Sequence, residues 1–155
     1  MDEQPKEETS FPKKLGRYHL LKLIGKGGMG EIFLAKDPIC SRAVALKRIL
    51  PKLLKYASIK KRFLSEAKIA AQLTHPSIIP IYSLSVDEEQ IYYTMPYIEG
   101  DTLKSILRKN REKEKTGESS CLVGSSIPAL IRIFLSVCQA MHYTHSKGFL
   151  HRDLK

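Results

Sequence analysis

Cysteine is scarce: Cys40, Cys121 and Cys138 are the three in the chain. Their odd number, the lack of any C-x-x-C pair and a His75 standing in no zinc-like spacing argue against a disulfide framework or a metal site. Such cysteine usage is the pattern of a reducing compartment. The opening residues MDEQPKEETS hold no apolar run of the kind a secretory signal needs. The most apolar stretch, Ile127 to Met141, is too short to span a bilayer and carries Arg132 in its middle. These absences describe a cytoplasmic-type chain with no membrane segment. Acidic residues are outnumbered, 16 Asp+Glu against 26 Lys+Arg, for a formal charge of +10. Such a balance suits nucleotide phosphates, nucleic acid or an acidic surface and does not choose among them. For nucleic acid there is neither an aromatic stacking set nor a recognised motif, and none is expected as a partner.

What is present is enough for one core: 155 residues with 43% hydrophobic content. Residues 1–16 mix acids, lysines and two prolines and read as a disordered leader, with order expected from about Arg17. Then come RYHLLKLIG, a glycine cluster, EIFLAKD and, past the turn signal DPICS, RAVALKRIL, which read as three antiparallel strands. A helix is expected over Ser58 to Thr74, because Ile59, Phe63, Ala67, Ala70 and Leu73 recur at spacings of three and four, and His75-Pro76 stops it. IIPIYSLS and IYYTMPYI read as two further strands. A short helix begins near Asp101 or Thr102, and KNREKEKTGESSCLVGSS, with no apolar period, reads as a loop. From Lys104 to Lys115 there are six basic and two acidic residues; a solvated surface is the ordinary reading, and a docking surface for an acidic partner the sharper one. A long helix follows over Ser126 to Ser146, apolar over so broad a face that packing on one side cannot cover it. Strands, helix, strands, helices make an α+β pattern.

IGKGGMGEI contains Gly25-x-Gly27-x-x-Gly30. A P-loop is excluded, since Glu31-Ile32 follow Gly30 where Lys-Ser/Thr would be needed. A dinucleotide fingerprint needs a helix after the glycines and an acid about 20 residues on, and here a strand follows. The remaining reading is a hairpin lid whose backbone N–H groups can approach phosphates. Lys47 in VALK would ordinarily be an outward surface charge. Glu66, however, lies 19 positions on, beside the inward stripe of the expected helix. A carboxylate there needs a cation, and Lys47 can supply it while reaching the phosphates of a bound nucleotide. HRDLK at the end adds a carboxylate, Asp153, two positions before Lys155.

Together these stretches resemble the eukaryotic-like (Hanks-type) serine/threonine protein kinase family over about residues 17–155. G-x-G-x-x-G-x-V matches Gly25 to Ile32, V-A-I-K matches Val44 to Lys47, the helix glutamate matches Glu66 in FLSEAKIAAQL, and H-R-D-L matches His151 to Leu154. Within the family, GKGGMGE looks like the glycine loop of bacterial eukaryotic-like serine/threonine kinases, and DPICSRAVALK with YYTMPYIEGDTLK looks most like a chlamydial group.

The resemblance implies a protein-kinase-like fold: a five-stranded antiparallel N-lobe with one helix over residues 17–100, then the first helices of a helical C-lobe over residues 101–155. It implies ATP as cofactor, cradled by Gly25, Lys26, Gly27, Gly28, Met29, Gly30 and Glu31. Ile24, Ile32 and Ala45 would enclose the adenine, Met95 would gate the back of its pocket, and Pro96 to Ile98 would form the hinge, with the N–H of Ile98 as donor. Lys47 would orient phosphates, Glu66 hold Lys47, Asp153 accept or orient the hydroxyl proton, and Lys155 steady the transferring phosphoryl group of a Ser/Thr protein substrate.

The family's magnesium ligands, the catalytic-loop asparagine and the D-F-G aspartate, are not in the sequence, and D-F-G occurs nowhere upstream. By this resemblance the chain is the first part of a kinase, truncated at the catalytic loop and expected to be inactive alone, with magnesium held by residues past Lys155. A non-catalytic nucleotide-binding or scaffold protein of kinase fold is the alternative.

Overall fold

The computed structural model describes residues 11–115, 126–152 and Leu154. Six strands form one antiparallel sheet: β1 (Lys14–Leu15), β2 (Tyr18–Lys26), β3 (Gly30–Asp37), β4 (Arg42–Ile49), β5 (Ser83–Val86) and β6 (Ile91–Pro96), lying side by side in the order β1-β2-β3-β4-β6-β5. Helix α1 (Ala57–Gln72) connects β4 to β5 after a 3-10 turn at Pro51–Leu53, and α2 (Leu103–Lys115) and α3 (Ile127–Ser146) follow β6. The chain divides into two compact units. The first runs to Lys68 and takes in Ile81–Tyr97; the second comprises Ile69–Pro80 and the residues from Ile98 onward.

The sheet has one strand more than the sequence suggested. The addition is β1, which lies inside the expected leader, so order starts before Arg17. Leu15 is buried and the Phe11 ring packs 5.0 Å from Phe33, so this polar-looking segment carries two apolar anchors. A two-residue strand is too short to show alternation. Between β1 and β2 the chain turns at Gly16, whose φ of +53° and lack of a side chain allow it to sit against the Tyr92 hydroxyl.

Side chains alternate across the sheet and build two cores. Leu15, Tyr18, Leu20, Phe33, Ala35, Val44, Leu46 and Tyr92 pack on one face. On the other, Ile49, Ile91 and Tyr93 meet Phe63 and Ala67 of α1. Phe63 and Ala67 are one turn apart, which is why the three-and-four spacing of that segment is visible in the sequence. The first face also buries hydroxyls: Ser83 Oγ lies 3.1 Å from Tyr18 Oη and 2.7 Å from Thr94 Oγ1, so Thr94 is fully buried yet partnered. At the β3–β4 turn the buried Asp37 carboxylate accepts from the backbone N–H of Ile39 and from Arg17 at 3.0 Å. Burial pushes the Asp37 carboxyl up, but the backbone donors of Cys40 and Ile39 and the Arg17 charge outweigh it and hold the group below its ordinary range.

The polar segment read as a loop is helical through Lys115; its remainder, residues 116–125, lies outside the described residues. Lys, Arg and Glu are strong helix formers. Thr102 Oγ1 accepts the Ser105 N–H at 3.2 Å, Asp101 accepts from Ser105 Oγ and from Lys109 Nζ at 2.6 Å, and Arg108 pairs with Glu112 one turn on. Such a helix is organised by caps and charges, and an apolar period does not reveal it. In the second unit, α3 leaves Ile127, Ile131, Phe134 and Leu135 exposed, as its apolar breadth implied, while the Thr74 N–H donates to Tyr143 Oη at 3.0 Å. No helix among the described residues is long and apolar enough to cross a membrane.

Candidate active site

Strands β2 and β3 form the glycine hairpin. Its turn closes through a hydrogen bond from Gly27 N–H to the Gly30 carbonyl at 2.8 Å, and the Leu50 N–H donates to the Met29 carbonyl at 3.1 Å, tying the hairpin to the end of β4. The two inner glycines differ. A side chain at Gly28 would meet nothing, so the tip is open, whereas a Cβ at Gly30 would lie 2.5 Å from the Arg48 carbonyl oxygen. Glycine at position 30 lets β3 lie this close to β4.

Register then aligns the candidate residues. Gly25 is opposite Ile32, Ile32 opposite Lys47, and Lys47 opposite Tyr93, a row across β2, β3, β4 and β6. Directly opposed residues share a face. In the neighbouring row Ala45 is opposite Met95, two positions along each strand and therefore on the same face. Ala45 is buried and Ile24 exposed; Met95 and Ile32 are half-buried, and Pro96 ends β6 opposite Val44.

On this face Lys47 Nζ lies 2.5 Å from Glu66 Oε1 of α1. Tyr93 Oη donates to the same carboxylate oxygen at 2.9 Å. The ammonium also stands 5.7 Å from the Phe63 ring centroid and 5.6 Å from that of Tyr93. Burial, then the charge of Glu66, pushes the Tyr93 hydroxyl far above its ordinary value, so it stays a donor. The structure therefore brings Lys47 and Glu66 together on the face that bears Ile32, Ala45 and Met95.

Glu31, placed among the cradle residues by the sequence, is engaged within the sheet: its Oε1 accepts from Arg48 Nε at 2.7 Å, and the side chain is nearly buried. Lys26 is exposed at the end of β2. Ile98 falls in the second unit and is exposed. Asp153 and Lys155 lie outside the described residues. Sequence reasoning did not single out Tyr93 or Arg48. The alternation of IYYTMP could have placed Tyr93 and Met95 on one face, but nothing in the string gives the cross-strand register.

The protein kinase domain family matches residues 18–155. The chain belongs to that family. Among its relatives, serine/threonine-protein kinase PknD of Protochlamydia amoebophila (strain UWE25) is 55% identical over 152 residues, 98% of this chain and 16% of the relative. PknD of Chlamydia trachomatis serovar L2b is 56% identical over 142 residues, 90% of this chain and 15% of the relative. The kinase-family chain thus spans about a sixth of the length of these curated relatives, and the chlamydial likeness of its motifs holds along nearly its whole length. Of solved structures, the PknI kinase domain of Mycobacterium tuberculosis superposes with a TM-score of 0.67 at 24% identity, covering 94% of this chain and 55% of that one. PpkA-294 in its apo form gives 0.71 at 22% identity with coverages of 94% and 55%. At these identities the two structures speak for the fold, which is that of a protein kinase.

Proposed function

We propose that the protein containing this chain is a serine/threonine protein kinase that moves the γ-phosphoryl group of MgATP to a Ser or Thr hydroxyl of a protein substrate, in the cytoplasm. The observation that carries the reading is the Lys47–Glu66 ion pair on the sheet face beside the glycine hairpin. Phosphoryl transfer needs little covalent chemistry from the protein and much positioning and charge stabilisation. A half-buried ammonium held by a helix carboxylate, next to a hairpin with an open glycine tip, offers both to a polyphosphate.

In this reading Lys47 holds the phosphates and Glu66 holds Lys47. The backbone from Gly25 to Gly30 covers the phosphates, while Ile24, Ile32 and Ala45 enclose the adenine. Met95 closes the back of the pocket, and Pro96, which has no N–H, offers only its carbonyl. Asp153 takes or orients the substrate hydroxyl's proton, and Lys155 steadies the phosphoryl group. Magnesium, when bound, would supply positive charge to the phosphates; the family's ligands for it, the catalytic-loop asparagine and the D-F-G aspartate, are not among the residues of this sequence.

The test is phosphate transfer from labelled MgATP to a generic basic protein by the intact gene product. Lys47→Met is expected to lower the rate by about a hundredfold or more, the usual loss when one preorganised charge is removed. Wild-type protein that binds ATP but transfers nothing would favour the non-catalytic alternative. An unchanged rate in Lys47→Met would refute the assignment of Lys47.

A further inference from the structure

Glu66 is nearly half exposed, its side chain retaining 42% of its accessible surface, and its partner is a lysine on a flexible stem. Ion pairs of that kind are weak, and salt and solvent compete with them. Lys47 alone is therefore a poor anchor for a helix, and a nucleotide that drew the ammonium toward its phosphates would loosen it further. Something else must keep the carboxylate in place.

Tyr93 has the required properties. It is 5% exposed, and its ring packs 5.2 Å from that of Phe63, one turn before Glu66 on α1. It stands directly opposite Lys47 in the sheet. A tyrosine ring has two side-chain torsions, and here packing on β6 fixes both, so the hydroxyl's position is set by the sheet. That hydroxyl donates to Glu66 Oε1, the oxygen that also meets Lys47. One carboxylate oxygen is thus held by two adjacent strands, through a mobile cation from β4 and a rigid neutral donor from β6.

We propose that Tyr93 is a positioning residue of this site: it locks Glu66, and with it helix α1, in the ion-paired position whether or not a nucleotide occupies the sheet face. The inference deepens the kinase reading and rests on it for its catalytic consequence, though not for the lock itself. When Lys47 shares its charge with phosphates, Glu66 keeps a partner and α1 has no reason to swing away. The persistence of the hydroxyl as a donor, enforced by burial and the neighbouring carboxylate, fits this use.

The experiment uses the intact protein and Tyr93→Phe, which keeps the ring and removes the hydroxyl. The first readout is the rate at which an amine-reactive acylating reagent modifies Lys47 without nucleotide, followed by peptide mass spectrometry. Loss of the lock frees the amine, and labelling is expected to rise by about tenfold or more, as for a lost hydrogen bond to a charged group. In a Glu66→Ala background the same substitution is expected to change nothing, because the effect passes through Glu66. Ile91→Val trims the same core two residues away without touching the three polar groups, and is expected to leave labelling at the wild-type rate. The second readout is phosphate transfer, with kcat down by about tenfold and a smaller change in KM for MgATP.

Unchanged or slower labelling in Tyr93→Phe would overturn the proposal, since slower labelling would mean that the hydroxyl merely competes with Lys47 for the carboxylate. Equal acceleration in Ile91→Val, or a full effect of Tyr93→Phe without Glu66, would overturn it as well by reducing Tyr93 to core packing. If the wild-type protein transfers no phosphate, the kinase reading fails, while the labelling comparison still decides whether Tyr93 locks Glu66.

Discussion

Arg48→Met would strand the carboxylate of Glu31. These residues are directly opposed on β4 and β3. Glu31 Oε1 accepts from Arg48 Nε at 2.7 Å and lies 2.6 Å from a terminal guanidinium nitrogen, while the guanidinium stands 5.0 Å over the Phe33 ring. The two side chains retain 12% and 11% of their accessible surface. Water therefore cannot replace the lost partner, as it would at an exposed pair. Removing one member of a pair this buried costs about 3–5 kcal/mol, against about 1 kcal/mol or less for an exposed one. Methionine fills much of the arginine stem's volume, so lost packing contributes little.

That loss is a large share of a domain's stability of about 5–15 kcal/mol. The double variant Glu31→Leu/Arg48→Met separates the causes. With both charges gone nothing is stranded, and an apolar pair should be neutral or more stable than wild type by up to about 4 kcal/mol. Urea unfolding supplies the energies, and hydrogen exchange of the β3 and β4 amides localises them to this part of the sheet. A cost under about 1 kcal/mol for Arg48→Met would show the pair to be solvated after all. A double variant as unstable as the single would locate the effect in packing and refute the stranded-charge account.

Two further outcomes follow from the same sheet. Gly30→Ala puts a Cβ against the Arg48 carbonyl and should cost about 1–3 kcal/mol by forcing β3 from β4; nucleotide affinity should fall with it, whereas Gly28→Ala, at the open tip, should leave the melting temperature unchanged in the same thermal scan. Because the Asp37 carboxyl titrates below its ordinary value, its contribution is complete above about pH 4 and is lost as pH falls through the depressed folded value. Asp37→Asn should therefore melt earlier than wild type at pH 6, with the gap narrowing toward pH 3, and a gap that is constant or widens in acid would count against the turn's role.

How much of this was legible in the sequence depended on whether each feature is local. The glycine hairpin, VALK and the α1 stripe are periodic or compact motifs, so their strand and helix assignments follow from alternation and three-and-four spacing. Glu66 could be placed beside the inward stripe because Phe63 and Ala70 lie at helical offsets from it. Lys47 could be assigned to it because a carboxylate in that position requires a cation. Features set by register were not visible. That Arg48 rather than solvent meets Glu31, and that Tyr93 stands opposite Lys47, depends on which residues face one another across strands far apart in the chain, and a slip of one residue would put either side chain on the other face. The errors have the same origin at shorter range. β1 is too brief to alternate, and the second half of α2, rich in charged helix formers, has no apolar stripe, so a reading tuned to hydrophobic period passed over the strand and ended the helix that starts near Thr102 too early. Tyr93 shows why this matters for function. In IYYTMP it is one of two adjacent tyrosines with nothing to distinguish them. The pleat sends Tyr92 into one core and Tyr93 into the other, and only the second reaches the carboxylate on which the ion pair depends.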